Sequence, residues 1–128
     1  MLLKLPKNNE KTYWTKHSKA KMQHYRLSEK RVLRVLRNPE RKELGIAPRT
    51  IAVMQTTGTK KHPTEIWIMY QKVKSKAKGQ KLKLTKIISA WRYPGKSPAG
   101  EPPPIPEDIL WEIKPRSRIS TGFSKRKN

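Results

Sequence analysis

Ser28-Glu29-Lys30-Arg31-Val32-Leu33-Arg34-Val35-Leu36-Arg37-Asn38-Pro39 is the most strongly patterned stretch of the chain. On a 3.6-residue wheel Val32, Leu33, Val35 and Leu36 cover one side, and Lys30, Arg31, Arg34 and Arg37 cover the other. Ser28 is placed to cap such a helix, because its hydroxyl can accept from a backbone N–H that the first turn leaves unpaired. Asn38-Pro39 stops it, since proline disfavours helical geometry in the residue before it. The stretch predicts an amphipathic helix with one buried and one cationic face. Glu29 is its only acid, so almost nothing local neutralises the cations. That imbalance favours phosphate contact over a merely solvated surface.

Working outward, Thr15 is a second N-cap candidate, for a helix running to about Arg26. His17, Ala20, Lys21 and His24 fall at i, i+3, i+4 and i+7, on one face of it. The pair Tyr13-Trp14 before it reads either as a short strand or as an aromatic cover over the domain. Downstream the pattern changes to strands. Thr50 to Gln55 is β-compatible and Thr57-Gly58 supplies a turn; Glu65 to Gln71 is rich in branched and aromatic residues. A third strand is expected from about Leu82 to Arg92, ended by Tyr93-Pro94-Gly95.

The expected fold is therefore α+β, with two N-terminal helices packed on a three- to four-stranded antiparallel sheet over residues 13–93. Residues 1–12 read as a flexible basic N-terminus. Residues 94–106 carry most of the chain's eleven prolines, including Pro102-Pro103-Pro104, and read as a stiff, extended linker. Residues 107–114 combine the acids Glu107, Asp108 and Glu112 with Ile109, Leu110, Trp111 and Ile113, which suits a segment that docks on the basic domain. Residues 115–128, basic and without acids, read as a tail disordered until it meets its partner.

Composition bounds the partner. The 128 residues include 31 Lys and Arg against nine Asp and Glu, a formal charge of +22. Charge of that size resists compaction and calls for counter-charge from outside. Nucleic acid is the commonest source, because each neutralised phosphate releases a condensed counterion. An anionic membrane fits less well, as no long helix pairs a greasy face with a basic one. The absence of cysteine excludes disulfides, thiolate nucleophiles and thiolate metal sites, and suits a reducing compartment. The apolar part of Met1 to Pro6 is too short for a signal peptide, so the expected location is cytoplasmic.

His17, Lys21-Met22, Tyr25, Leu27-Ser28, Val32, Val35-Leu36 and Asn38-Pro39 together carry a resemblance. The segment resembles the opening of a widespread small bacterial domain grouped with the RelE/ParE- and BrnT-like toxins. There a His precedes an Arg-Met pair, a second Arg, an Ile-Ser step, a Val/Leu helix and an Asn-Pro stop. Here Lys21 replaces the first Arg, while Tyr25 stands at the second, with Arg26 one place later. The resemblance covers roughly residues 13–93 and implies a RelE-like fold directed at RNA, with the ribosome or messenger RNA as partner. It further implies candidate metal-independent endoribonuclease activity, in which a ribose 2′-hydroxyl attacks the neighbouring phosphate, and an acidic antitoxin as a second partner. No cofactor is implied.

On that reading His17, Lys21, Tyr25, Arg92 and Tyr93 are the candidates for chemistry, as base, charge stabiliser and proton donor. His17 equally suits a plain helix-start role. Lys30, Arg31, Arg34, Arg37 and Tyr70 are candidates for nucleic-acid contact. So are Lys72, Lys74, Lys76, Lys78, Lys81 and Lys83, read as a hairpin arm without acids. Tyr70, Arg92 and Tyr93 are expected near strand ends, where an aromatic beside a cation can stack a base, whereas Trp67 reads as core. Three histidines and no cysteine make a poor zinc inventory. The acidic Glu107 to Glu112 segment could dock on the cationic face within the chain, or a separate antitoxin could. The alternative to a toxin is a non-catalytic ribosome- or nucleic-acid-associated protein. Composition does not separate RNA from DNA.

Overall fold

The computed structural model describes residues 4–75 and 82–113. The two expected helices form where their caps place them. In α1 (Lys16–His24) the Thr15 hydroxyl accepts from the Ser18 N–H, and in α2 (Glu29–Arg37) the Ser28 hydroxyl accepts from the Arg31 N–H. Each cap satisfies a donor that the first turn leaves orphaned, worth about 1 kcal/mol apiece. Val32 and Val35 are fully buried, Leu33 and Leu36 are half-buried, and Arg34 and Arg37 are exposed, as the wheel requires.

The link between the helices is tighter than the sequence suggests. Arg26 N–H donates to Gln23 and Leu27 N–H to Met22, closing α1 in a Schellman motif. The buried side chains of Leu27 and Met22 share one core cluster, which fixes the exit angle. Arg26 holds the left-handed position, φ 56°, where glycine is usual.

The sheet is five-stranded and mixed, in the order β1-β5-β4-β3-β2. Its strands are β1 (Thr12–Trp14), β2 (Arg41–Leu44), β3 (Ile51–Gly58), β4 (Pro63–Ser75) and β5 (Leu82–Pro94). The expected three- to four-stranded antiparallel sheet is thus corrected at both edges. Tyr13-Trp14 adds a short strand parallel to β5, and Arg41-Lys42-Glu43-Leu44 adds an antiparallel one against β3. The second escaped notice because three of its four residues are charged and show no alternation in hydropathy, as befits an edge strand. Asn8 and Asn9, in the stretch expected to be flexible, turn the chain into β1. Their side-chain oxygens accept from the N–H groups of Trp14, Lys11 and Thr12 at 2.6–2.8 Å.

Each face of the sheet carries its own core. On one, α1 and α2 cover Val53, Ile66, Ile68, Tyr70, Ile87 and Ala90. On the other, Ala52, Met54, Trp67, Met69 and Trp91 pack with Ile109 of the short helix α3 (Glu107–Ile113). Trp67 and Trp91, directly paired across β4 and β5, stack at 6.3 Å with 12° between planes. Such a pair adds about 0.5–1.5 kcal/mol beyond its burial.

The proline-rich stretch turns at Ala99-Gly100 and lies across this second face. Trp91 Nε1 donates to the Pro104 carbonyl at 2.8 Å, and Pro103 and Ile109 are buried. Beneath it Glu65, only 1% exposed, accepts from Trp67 Nε1 at 2.9 Å and from the Ser97 N–H at 2.9 Å and hydroxyl at 2.6 Å. Arg41 lies 5.1 Å over the Trp67 ring and 3.7 Å from that carboxylate, and donates to Glu43 and to the carbonyls of Ser97 and Pro98. A buried carboxylate left unpaired would cost several kcal/mol, so this network pins the strap to the sheet.

Candidate nucleic-acid interface

Strand β1 pairs only with Thr85 to Ile87, which leaves the rest of the β5 edge open. Helix α1 runs along that remainder. At its start the Thr15 hydroxyl donates to the Ile87 carbonyl at 2.9 Å and lies 3.3 Å from that of Ile88. At its end Arg92 donates from Nε to the Tyr25 carbonyl at 2.7 Å and from Nη2 to the Arg26 carbonyl at 3.2 Å. A guanidinium on the last carbonyls of a helix satisfies orphan acceptors and complements the negative end of its dipole.

Two sites result, on either side of the α1 C-terminus. The first is an open groove of about 390 Å³ lined by Arg26, Ser28, Lys30, Arg31, Arg34 and Arg92. Arg31 Nη2 donates to the Thr57 hydroxyl at 2.8 Å, which holds its guanidinium against the sheet. Among the described residues none of the groove's cations forms an ion pair. Burial, and then repulsion from Arg31, push the Arg92 guanidinium below its ordinary pKa. Cations gathered without acids form a preorganised anion site.

The second site is a stripe along α1. His17, Lys21 and Tyr25 recur every four residues on the side facing β5 and α3. His17 Nε2 and Ser89 Oγ share a hydrogen bond of 2.9 Å. Asp108 of α3 closes the stripe: Lys21 Nζ donates to it at 2.8 Å, and the Tyr25 hydroxyl at 3.0 Å. Burial pushes the Tyr25 phenol up to about 12, with the bond to Asp108 and its charge adding to the effect. Burial alone would raise the Asp108 carboxyl, but the hydrogen bonds from Lys21 and Tyr25 outweigh it and hold the group below its usual range. In this arrangement Tyr25 is a donor and Lys21 is a paired cation.

The structure therefore divides the five residues expected to carry chemistry. His17, Lys21 and Tyr25 share the stripe, and Arg92 belongs to the groove. Tyr93 packs against the second-face core and does not line the groove. Of the expected nucleic-acid contacts, Lys30, Arg31 and Arg34 line the groove, while Arg37 is exposed at the last turn of α2 outside it. Tyr70 is corrected: β4 continues to Ser75, so Tyr70 sits mid-strand with 9% exposure inside the helix-side core. Lys72, Lys74 and Lys83 are exposed on the paired ends of β4 and β5, with Lys74 opposite Lys83. Lys76, Lys78 and Lys81 fall outside the described residues. Among the described residues, the acidic segment meets Lys21 and Tyr25 through Asp108, and not the cationic face of α2 itself.

Arg26, Ser89 and Asp108 escaped the sequence reading. Arg26 enters the groove only because a left-handed residue turns the chain there, and Ser89 and Asp108 meet α1 through contacts more than 70 positions apart. No spacing rule reaches that far. Among the described residues no group of three His, Asp or Glu side chains could hold a metal, and no helix is long and apolar enough to cross a membrane. Compared with known proteins, the chain matches no family model, no curated protein and no solved structure.

Proposed function

We propose that this chain is a cytoplasmic RNA-binding protein that seats backbone phosphates in the groove between α2 and the end of β5. The observation that carries the reading is the convergence of Arg26, Lys30, Arg31, Arg34 and Arg92 on one concave surface without an acid among the described residues. Guanidinium groups match phosphate oxygens in a planar, two-pronged fashion, and four of these five cations are arginine. The preference for RNA over DNA, and the grouping with RelE/ParE- and BrnT-like proteins, rest on the motif from His17 to Pro39. The order helix, helix, antiparallel strands supports them. The parallel β1 and the strap that ends in α3 are features of this chain beyond that plan.

A salt titration with a single-stranded oligoribonucleotide tests the reading. Each phosphate contact should add about 0.7 to the log–log slope on single strands. Arg31→Ala with Arg34→Ala should flatten the slope by roughly two such contacts. An unchanged slope would remove the groove from the interface.

A second reading, a metal-independent ribonuclease, is favoured by one observation: His17, Lys21 and Tyr25 share a stripe. In such a reaction the ribose 2′-oxygen attacks phosphorus as a base takes its proton. The 5′-oxygen leaves as an acid returns one. Expression with and without His17→Ala and Arg92→Ala separates the readings. Growth arrest and messenger RNA cleavage that those changes abolish identify the enzyme. Co-sedimentation with ribosomes and no arrest identify a binder.

A further inference from the structure

We infer that Lys21 and Tyr25 form a second anion subsite, filled in the resting chain by the Asp108 carboxylate and open to a nucleic-acid phosphate once α3 lifts. The inference rests on the proposed groove and extends it. A carboxylate already occupies the position, receiving a charge-assisted bond of 2.8 Å from Lys21 Nζ and one of 3.0 Å from the Tyr25 hydroxyl. Those donors would serve a phosphate oxygen equally well.

Lys21 is only 9% exposed. A buried ammonium stripped of its counter-ion costs several kcal/mol, so the position requires an anion in any closed arrangement. Tyr25, kept protonated by burial and by Asp108, stays a donor across the physiological range. The subsite also adjoins the groove through one residue: the Tyr25 carbonyl holds Arg92, and its phenol holds Asp108. A strand seated in the groove is thereby led toward Lys21.

The competitor is held by modest means. Within α3, Ile109 is buried in the second-face core, while Leu110 is 42% exposed and the Asp108 side chain 38% exposed. Among the described residues, an apolar anchor at Ile109 and a partly solvated ion pair at Asp108 fit an occupant that a polyanion can displace.

The test uses the full chain and a short single-stranded oligoribonucleotide. Asp108→Asn should tighten binding on the order of tenfold, the worth of one charge-assisted hydrogen bond. It should also steepen the salt slope by about 0.7, one further phosphate. Lys21→Gln added to Asp108→Asn should cancel both gains. Glu107→Gln, which removes the same charge from an exposed neighbour, controls for net charge and should give far less. Inorganic phosphate provides a readout that needs no RNA. It should raise the melting temperature of Asp108→Asn and not that of the double variant.

Equal effects of Asp108→Asn and Glu107→Gln would overturn the subsite. So would a gain that survives Lys21→Gln, or failure of both Asp108→Asn and Asp108→Ser to fold, which would make the carboxylate an irreplaceable part of the core. If Arg31→Ala and Arg34→Ala leave RNA binding intact while Asp108→Asn behaves as expected, the groove fails and the subsite stands.

Discussion

The two sides of the α1 C-terminus handle positive charge in opposite ways. In the groove, Arg26, Lys30 and Arg34 are exposed and Arg31 and Arg92 half-buried, with no acid lining it among the described residues. On the stripe, one lysine is buried and meets a carboxylate brought from 87 positions away. Exposure explains the difference. Water screens crowded cations at a surface, so they can wait for a ligand, but it cannot screen a buried one. The chain therefore has to supply an anion for Lys21 and can leave Arg31 and Arg34 to an outside partner.

Charge reversal in the groove breaks that contrast most directly. Arg31→Glu with Arg34→Glu should lower affinity for single-stranded RNA by about two orders of magnitude or more, since two charge-assisted contacts become repulsive. The same reversal at Lys21 should leave RNA affinity of the resting chain nearly unchanged and lower stability instead. Equilibrium binding and urea unfolding on both variants decide it.

Ile109→Ala comes next. If α3 is a working part of the second core, the truncation should cost about 2–5 kcal/mol in urea denaturation, as for other fully buried aliphatic residues. A cost near zero would show that the stripe's counter-ion is held by the ion pair alone.

Titration sharpens the comparison further. Because the folded-state pKa of Asp108 lies below its ordinary value, its contribution to stability is complete above the usual carboxylate range. It is lost as pH falls through the folded value. The stability difference between the native chain and Asp108→Asn should hold steady at neutral pH and shrink on acidification below that range. Tyr25 runs the other way. Its phenol is raised to about 12, so its contribution is complete below the ordinary tyrosine value of about 10 and disappears as pH climbs through 12. In an ultraviolet titration one of the chain's four tyrosines should ionise near pH 12, and earlier in Asp108→Asn.

Local chemistry announced much of this fold. Thr15 and Ser28 cap where their hydroxyls suggest, and the Val/Leu pattern of α2 buries the expected side. The edge strand Arg41–Leu44 was hidden because its charged residues carry no hydropathy pattern, and the placement of Asp108 because its partners on α1 lie more than 80 positions away. The candidate site follows the same rule. Arg31 and Arg34 were evident from helical period, whereas Arg26 and Arg92 reach the groove through a backbone turn and a strand end. Tyr70 misled because a strand's end cannot be located from its composition when five more residues, Gln71 to Ser75, stay paired with β5.

Arg26 occupies a backbone position that nearly any protein would give to glycine, and it does so at the mouth of the groove. A side chain held there forgoes about 1 kcal/mol of conformational ease. Arg26→Gly should therefore yield a protein that melts at a higher temperature and grips polyanions less well, a small gain bought with a loss of purpose. Thermal unfolding and filter binding on that one variant would show whether durability has been traded away at this corner for the sake of a fifth positive charge.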